Sequence, residues 1–125
     1  MGNDHRTPAE VSHRFAEAIN AGDLESALAC WSPAAVIAAP GGSEVRGHAA
    51  LTERFRALIA AGAQLQIVVL EEICSELGAT AATRMTMTVP TNDEPTVTTV
   101  AGDVTYVPGA GGLQILIDHI RPPTV

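Results

Sequence analysis

The chain contains no lysine; all seven of its basic residues are arginines. Schiff-base chemistry, lysine-anchored pyridoxal phosphate and a P-loop are excluded together, because each needs a primary amine. Cations are also outnumbered by fourteen Asp and Glu, for a formal net charge of -7. With no cluster of arginines, neither nucleic acid nor an anionic membrane surface is expected as a partner, since phosphate binding draws on clustered positive charge. Aromatic residues are scarce as well: Phe15, Trp31, Phe55 and Tyr106 are the only four. The core is therefore expected to rest on Ala, Val, Ile and Leu, and any pocket to be aliphatic. The two cysteines, Cys30 and Cys74, lie in apolar surroundings without a CxxC, and read as reduced core thiols of a cytoplasmic protein. No basic-then-apolar leader and no run of membrane-spanning length is present. His5, His13 and His48 show no HxH or HExxH spacing, so neither a metal nor another cofactor is expected.

What is present is a chain of 125 residues, 46% apolar, which suits one domain over residues 1–125 with a polar, frayed start at Met1–Arg6. Thr7-Pro8-Ala9-Glu10 combines an N-cap, a proline at the first helical position and a capping-box glutamate. Val11, Phe15, Ala18 and Ile19 then share one helical face up to Gly22. Asp23 caps a second helix carrying Leu24, Ala27, Leu28 and Trp31, and Ala34–Ala39 reads as a short strand. Beyond the bend at Pro40-Gly41-Gly42, a third helix from about His48 buries Leu51, Phe55, Leu58 and Ile59. Four β-rich runs follow, over 65–73, 79–89, 96–107 and 113–121, separated by turn residues. Three helices before an antiparallel meander form an α+β pattern, with the helices on one face of a curved sheet.

Two phrases inside this order, Asn20-Ala21-Gly22-Asp23-Leu24 and Ala39-Pro40-Gly41-Gly42-Ser43-Glu44-Val45-Arg46-Gly47, resemble the nuclear transport factor 2-like superfamily, in its ketosteroid isomerase and polyketide-cyclase-like (SnoaL-like) branch. The resemblance runs from about Thr7 to Arg121 and implies a cone-shaped, cystatin-like fold around one apolar pocket. It also implies positions for the isomerase's working groups. Its tyrosine falls at Phe15 and its carboxylate base at Ala39, so donor and base are both missing and steroid isomerase activity is not expected. Its protonated aspartic acid falls at Asp103, in the apolar run Val100-Ala101-Gly102-Asp103-Val104, where desolvation would raise the pKa.

Asp118 and His119 sit next to each other near the end of the last strand, so alternation lets only one face the pocket. The resemblance favours Asp118; the apolar set Leu113, Ile115 and Ile117 would instead carry His119 inward. An inward Asp118 facing Asp103 would form a carboxylate pair with separated pKa values. Phe15, Trp31, Ala39, Phe55, Met85, Met87 and His119 are the candidate ligand contacts, and Asp103 and Asp118 the candidate catalytic residues. The reading is a cone that binds a small hydrophobic molecule and acts as an acid/base isomerase, cyclase or dehydratase on a polyketide, terpenoid or steroid-like compound. The alternative is a non-catalytic binding or assembly module. In either case, pairing of the sheets into a homodimer is expected.

Overall fold

The computed structural model describes residues 7–109 and 111–121. The expected frayed segment, with His5, and Ala110 of the last hairpin lie outside them. Helix α1, Pro8–Asn20, starts as its sequence dictates: Thr7 Oγ1 accepts from the Glu10 amide, and the Glu10 carboxylate accepts from the Thr7 amide. Asp23 caps α2, Leu24–Ala29, by accepting from the Ser26 amide. This helix stops short of Trp31, which opens strand β1, Trp31–Ala38. One reason is local and one is not. Pro33 disfavours helix at the preceding residue, and the Cys30 carbonyl is already taken by the Ile115 amide at 2.8 Å.

Strand β2, Glu44–Arg46, pairs back on β1 across a turn at Gly41 and Gly42, whose φ values of 88° and 90° suit glycine. An ion pair between Glu44 and Arg46 braces it at 2.8 Å. Helix α3, Gly47–Ala60, turns Leu51 and Phe55 inward. Strands β3, Gln64–Ser75, β4, Gly78–Val89, β5, Thr96–Gly109, and β6, Gly112–Arg121, complete the chain. Among the described residues, no helix is long and apolar enough to cross a membrane.

The six strands form one curved sheet in the order β2-β1-β6-β5-β4-β3, with the helices packed on its inner face. It is not wholly antiparallel, because β1 and β6 run parallel. Two strands carry an extra residue. On β3 the pairing steps from Val69 to Glu71, leaving Leu70 out, and on β6 it steps from Ile115 to Ile117, leaving Leu116 out. Each such bulge bends its strand and shifts the inward–outward alternation by one residue.

The core lies between helices and sheet, built from Val11, Phe15 and Ile19, Leu51 and Phe55, and inward strand residues such as Ala81, Val104 and Ile115. The scarce aromatics are not peripheral to it. Phe15, Trp31 and Phe55 meet with ring centroids 5.0 to 5.5 Å apart, and Tyr106 is also buried. The expectation of a purely aliphatic centre fails because three separate elements each bring one ring to the same point. Cys30 is buried, and burial pushes its thiol up to about 11, whereas Cys74 is exposed rather than in the core.

Candidate functional site

Between α1 and the inner face of the sheet lies a cavity of about 30 Å³. Ser12 and Phe15 reach it from α1, Trp31 from β1, Thr83 and Met85 from β4, Gly102 and Val104 from β5, and Ile115, Asp118 and Ile120 from β6. The bulge at Leu116 decides what β6 contributes. Ile115 faces Tyr106, Asp118 faces Val104 and Ile120 faces Gly102, so all three point inward despite their odd and even numbers. Ile117 and His119 consequently turn outward and are exposed.

Asp118 is the carboxylate of this cavity. Burial among apolar walls raises it from 3.8 to about 6; His119 opposes that rise and the Asp103 charge adds to it. It makes no hydrogen bond to the described residues, and its approach depends on Gly102. A Cβ on Gly102 would lie 2.8 Å from Thr83 Oγ1 and 2.9 Å from Asp118 Oδ1, so the missing side chain is what lets hydroxyl and carboxylate close on the same spot. Thr83 Oγ1 donates to the Gly102 carbonyl at 3.4 Å. Deeper in, Ser12 Oγ and the Tyr106 hydroxyl share a buried hydrogen bond of 2.8 Å, and burial lifts the phenol to about 12. The Trp31 indole nitrogen, in a residue 1% exposed, is buried with no hydrogen-bond partner among the described residues. Among the described residues, no three His, Cys, Asp or Glu side chains gather as metal ligands would.

The arrangement is a desolvated carboxylate in an aromatic and aliphatic lining that includes Trp31, the residue with the unpartnered indole N–H, between helices and a curved sheet. Residues 12–108 match the model of the SnoaL-like domain. The chain belongs to the SnoaL-like domain family. Solved structures of the same fold agree. One is an NTF2-like protein with a cystatin-like fold from Novosphingobium aromaticivorans, 19% identical over 89% of this chain and 76% of that one, with a TM-score of 0.74. Another is a candidate dehydratase of the NTF2-like family from Streptomyces avermitilis, 15% identical over 94% of each chain, with a TM-score of 0.77. A third is a ketosteroid isomerase-like protein from Erwinia carotovora atroseptica, 16% identical over 94% of each chain, with a TM-score of 0.70. No curated protein matches the chain.

Within this SnoaL-like domain, the residues singled out from sequence separate into two groups. Phe15, Trp31, Met85 and Asp118 come together around the cavity. Phe55 stands behind Phe15 and Trp31 as the third ring, and Met87 packs on the core opposite Leu65; neither lines the cavity. Ala39 follows the end of β1 and is tied by its amide to the Ser43 carbonyl, away from the lining. Asp103, the position given by the resemblance to the isomerase's aspartic acid, faces the opposite side of the sheet. Its neighbours Gly102 and Val104 are inward, so alternation turns it out. There Arg121 donates to both carboxylate oxygens, at 2.6 and 3.1 Å, and those bonds hold Asp103 below the usual carboxylate range. His119 lies across from it on the same outer face. The carboxylate pair across the cavity is thus not formed.

Ser12, Thr83, Gly102 and Tyr106 take part without having been singled out. A signal exists for two of them. Ser12 is a polar residue next to Val11 on the buried stripe of α1, and Thr83 interrupts the inward set Ala79, Ala81, Met85 and Met87 of β4.

Proposed function

We propose that this protein binds a small hydrophobic carbonyl compound in the cavity beside Asp118 and moves a proton on it, as an isomerase, cyclase or dehydratase does. The observation that carries the reading is Asp118: a carboxyl raised to about 6 inside an apolar cavity. A general base works best with a pKa near the operating pH, and groups so displaced cluster at working sites. At neutral pH most of the Asp118 population is the carboxylate, able to take a proton from carbon or oxygen and return it elsewhere. The family supports this chemistry, since a candidate dehydratase and a ketosteroid isomerase-like protein share the fold. Steroid isomerisation itself is disfavoured, because Phe15 and Ala39 carry neither a hydroxyl nor a carboxylate.

The test is hydrogen–deuterium exchange. Small ketones are incubated with the protein in heavy water, and exchange at the carbon next to the carbonyl is followed by NMR. Exchange that disappears in Asp118→Asn and persists in Asp103→Asn supports the reading. Exchange that survives Asp118→Asn, or binding without any exchange, would sink it.

The same reading takes the protein as a cytoplasmic homodimer joined through the outer sheet face. Val68, Ile73, Val97 and Ile117 are exposed apolar side chains on its strands, Val68, Ile73 and Ile117 by their alternation on the outer face, among threonines such as Thr86 and Thr99. Ile117→Glu should then yield monomers by light scattering. A wild-type protein already monomeric at micromolar concentration contradicts the pairing.

A further inference from the structure

We infer that the Trp31 indole N–H is the donor that anchors the ligand, and that the ligand is a compact, neutral ketone or aldehyde presenting one acceptor oxygen to it. This rests on the reading of the cavity as a ligand site and adds to it which group reads the ligand and what that group selects.

The inventory of polar groups around the cavity leaves little choice. Ser12 and Tyr106 are bonded to each other, which uses one of their two O–H groups, and Thr83 is turned to the Gly102 carbonyl. The buried side-chain polar atom left with no partner at all among the described residues is Trp31 Nε1, and the carboxyl of the lining, Asp118, also makes no hydrogen bond there. Indole donates and cannot accept, so it selects an acceptor atom. A buried donor left without an acceptor is costly, and a ligand oxygen would recover that cost on binding. The indole is also held in place before any ligand arrives. Phe15 packs on it edge-on at 5.3 Å, Phe55 supports it at 5.5 Å, and the Trp31 carbonyl accepts from His48 Nε2 at 2.9 Å.

Size supports the choice of a compact ligand. A cavity able to take benzene measures on the order of 150 Å³; this one is about 30 Å³. A carbonyl group fits there, and Met85, the flexible side chain of the lining, can yield to its remaining carbons. An anionic ligand is disfavoured, because the lining supplies no cation and Asp118 carries the same sign.

The sole tryptophan gives a direct readout, a single indole N–H resonance. Labelled wild-type protein is titrated with cyclopentanone and, separately, with methylenecyclopentane, which keeps the shape and replaces oxygen by carbon. The ketone should shift the indole proton downfield and slow its exchange with water, while moving the amides of Thr83, Gly102 and Asp118. The alkene should move those amides and leave the indole proton in place. Equal indole shifts with both probes, or cavity amides that respond to the ketone while the indole does not, overturn this inference and leave the cavity reading standing. Cavity amides that respond to neither probe overturn both. As a second measurement, Trp31→Phe should weaken cyclopentanone binding roughly tenfold, the loss of one hydrogen bond, and leave alkene affinity unchanged; an equal loss for both probes contradicts the role.

Discussion

Replacing Asp118 by asparagine should stabilise the protein, and by an amount that depends on pH. The carboxyl titrates at 3.8 in an unfolded chain and at about 6 in the fold. The folded state therefore holds its proton more tightly. Below the lower value both states are protonated and the carboxyl costs nothing extra. As pH rises through the window between the two values, the unfolded chain ionises first, and stability is lost until the folded carboxyl ionises too. About two pKa units at about 1.4 kcal/mol each give a penalty near 3 kcal/mol above pH 6. Residual solvent contact at Asp118 makes 2–3 kcal/mol the working range. Asparagine has the same shape and no charge, so urea denaturation of the two proteins from about pH 4 to 8 should show a gap that opens across the window and is flat above it. Subtracting the two curves removes the titration of groups that do not interact with Asp118. A gap independent of pH would mean that Asp118 ionises as a solvated carboxylate, and would refute both the burial argument and the base assigned from it. In wild type, proton exchange on a bound ketone should rise around pH 6, at the upper edge of this window, where the folded carboxyl itself ionises and becomes the base.

Three further substitutions probe the surroundings. Gly102→Ala places a methyl within 2.9 Å of both Thr83 Oγ1 and Asp118 Oδ1; it should displace the carboxylate and reduce proton exchange at least tenfold, on the order of 1.4 kcal/mol of misplacement, as read by the deuterium assay. Ser12→Ala strands the Tyr106 hydroxyl and should cost about 1–3 kcal/mol in urea denaturation, whereas the double variant with Tyr106→Phe should cost less than the sum of the two single changes. Asp103→Asn loses only an exposed ion pair, so stability should fall by no more than about 1 kcal/mol and ketone exchange should be unaffected; loss of exchange would return Asp103 to the site.

Much of the fold is legible because local signals agree with one another. The Thr7–Glu10 box starts α1 where it should start, and each long strand begins and ends within two residues of its turn chemistry. The site is less legible, for reasons that lie in three dimensions. Alternation along Leu113, Ile115 and Ile117 argues for an inward His119 only if β6 is regular, and the bulge at Leu116 makes it irregular. A bulge answers to the partner strand, which the residues of β6 do not encode by themselves. Trp31 reads as the last turn of a helix because nothing in Leu24–Trp31 shows that the Cys30 carbonyl is taken by β6, 85 positions away. The Ser12–Tyr106 bond spans 94 positions and is equally invisible. The resemblance placed the family correctly but carried its aspartic acid to Asp103, one alternation step from the inner face.

The bulge at Leu116 has a competitor, and charges on the outer face of the sheet weigh against it. If Leu116 took a place in the ladder, every later residue of β6 would slide by one: Asp118 would lie opposite Asp103 outside, and His119 would enter opposite Gly102. That slipped strand sets two carboxylates against each other and separates Asp103 from Arg121; the observed one pairs Asp103 with Arg121 and sets His119 across from it. Like charges directly opposite disfavour a strand pairing. Asp103 thus adds a guard against the slipped register, a bias of no more than about 1 kcal/mol toward a carboxylate rather than an imidazole in the cavity. Asp103→Lys reverses the bias, and a second set of β6 amide resonances, with the Asp118 titration near 6 diminished, is the expected sign; a single unchanged set would show that the bulge needs no such guard.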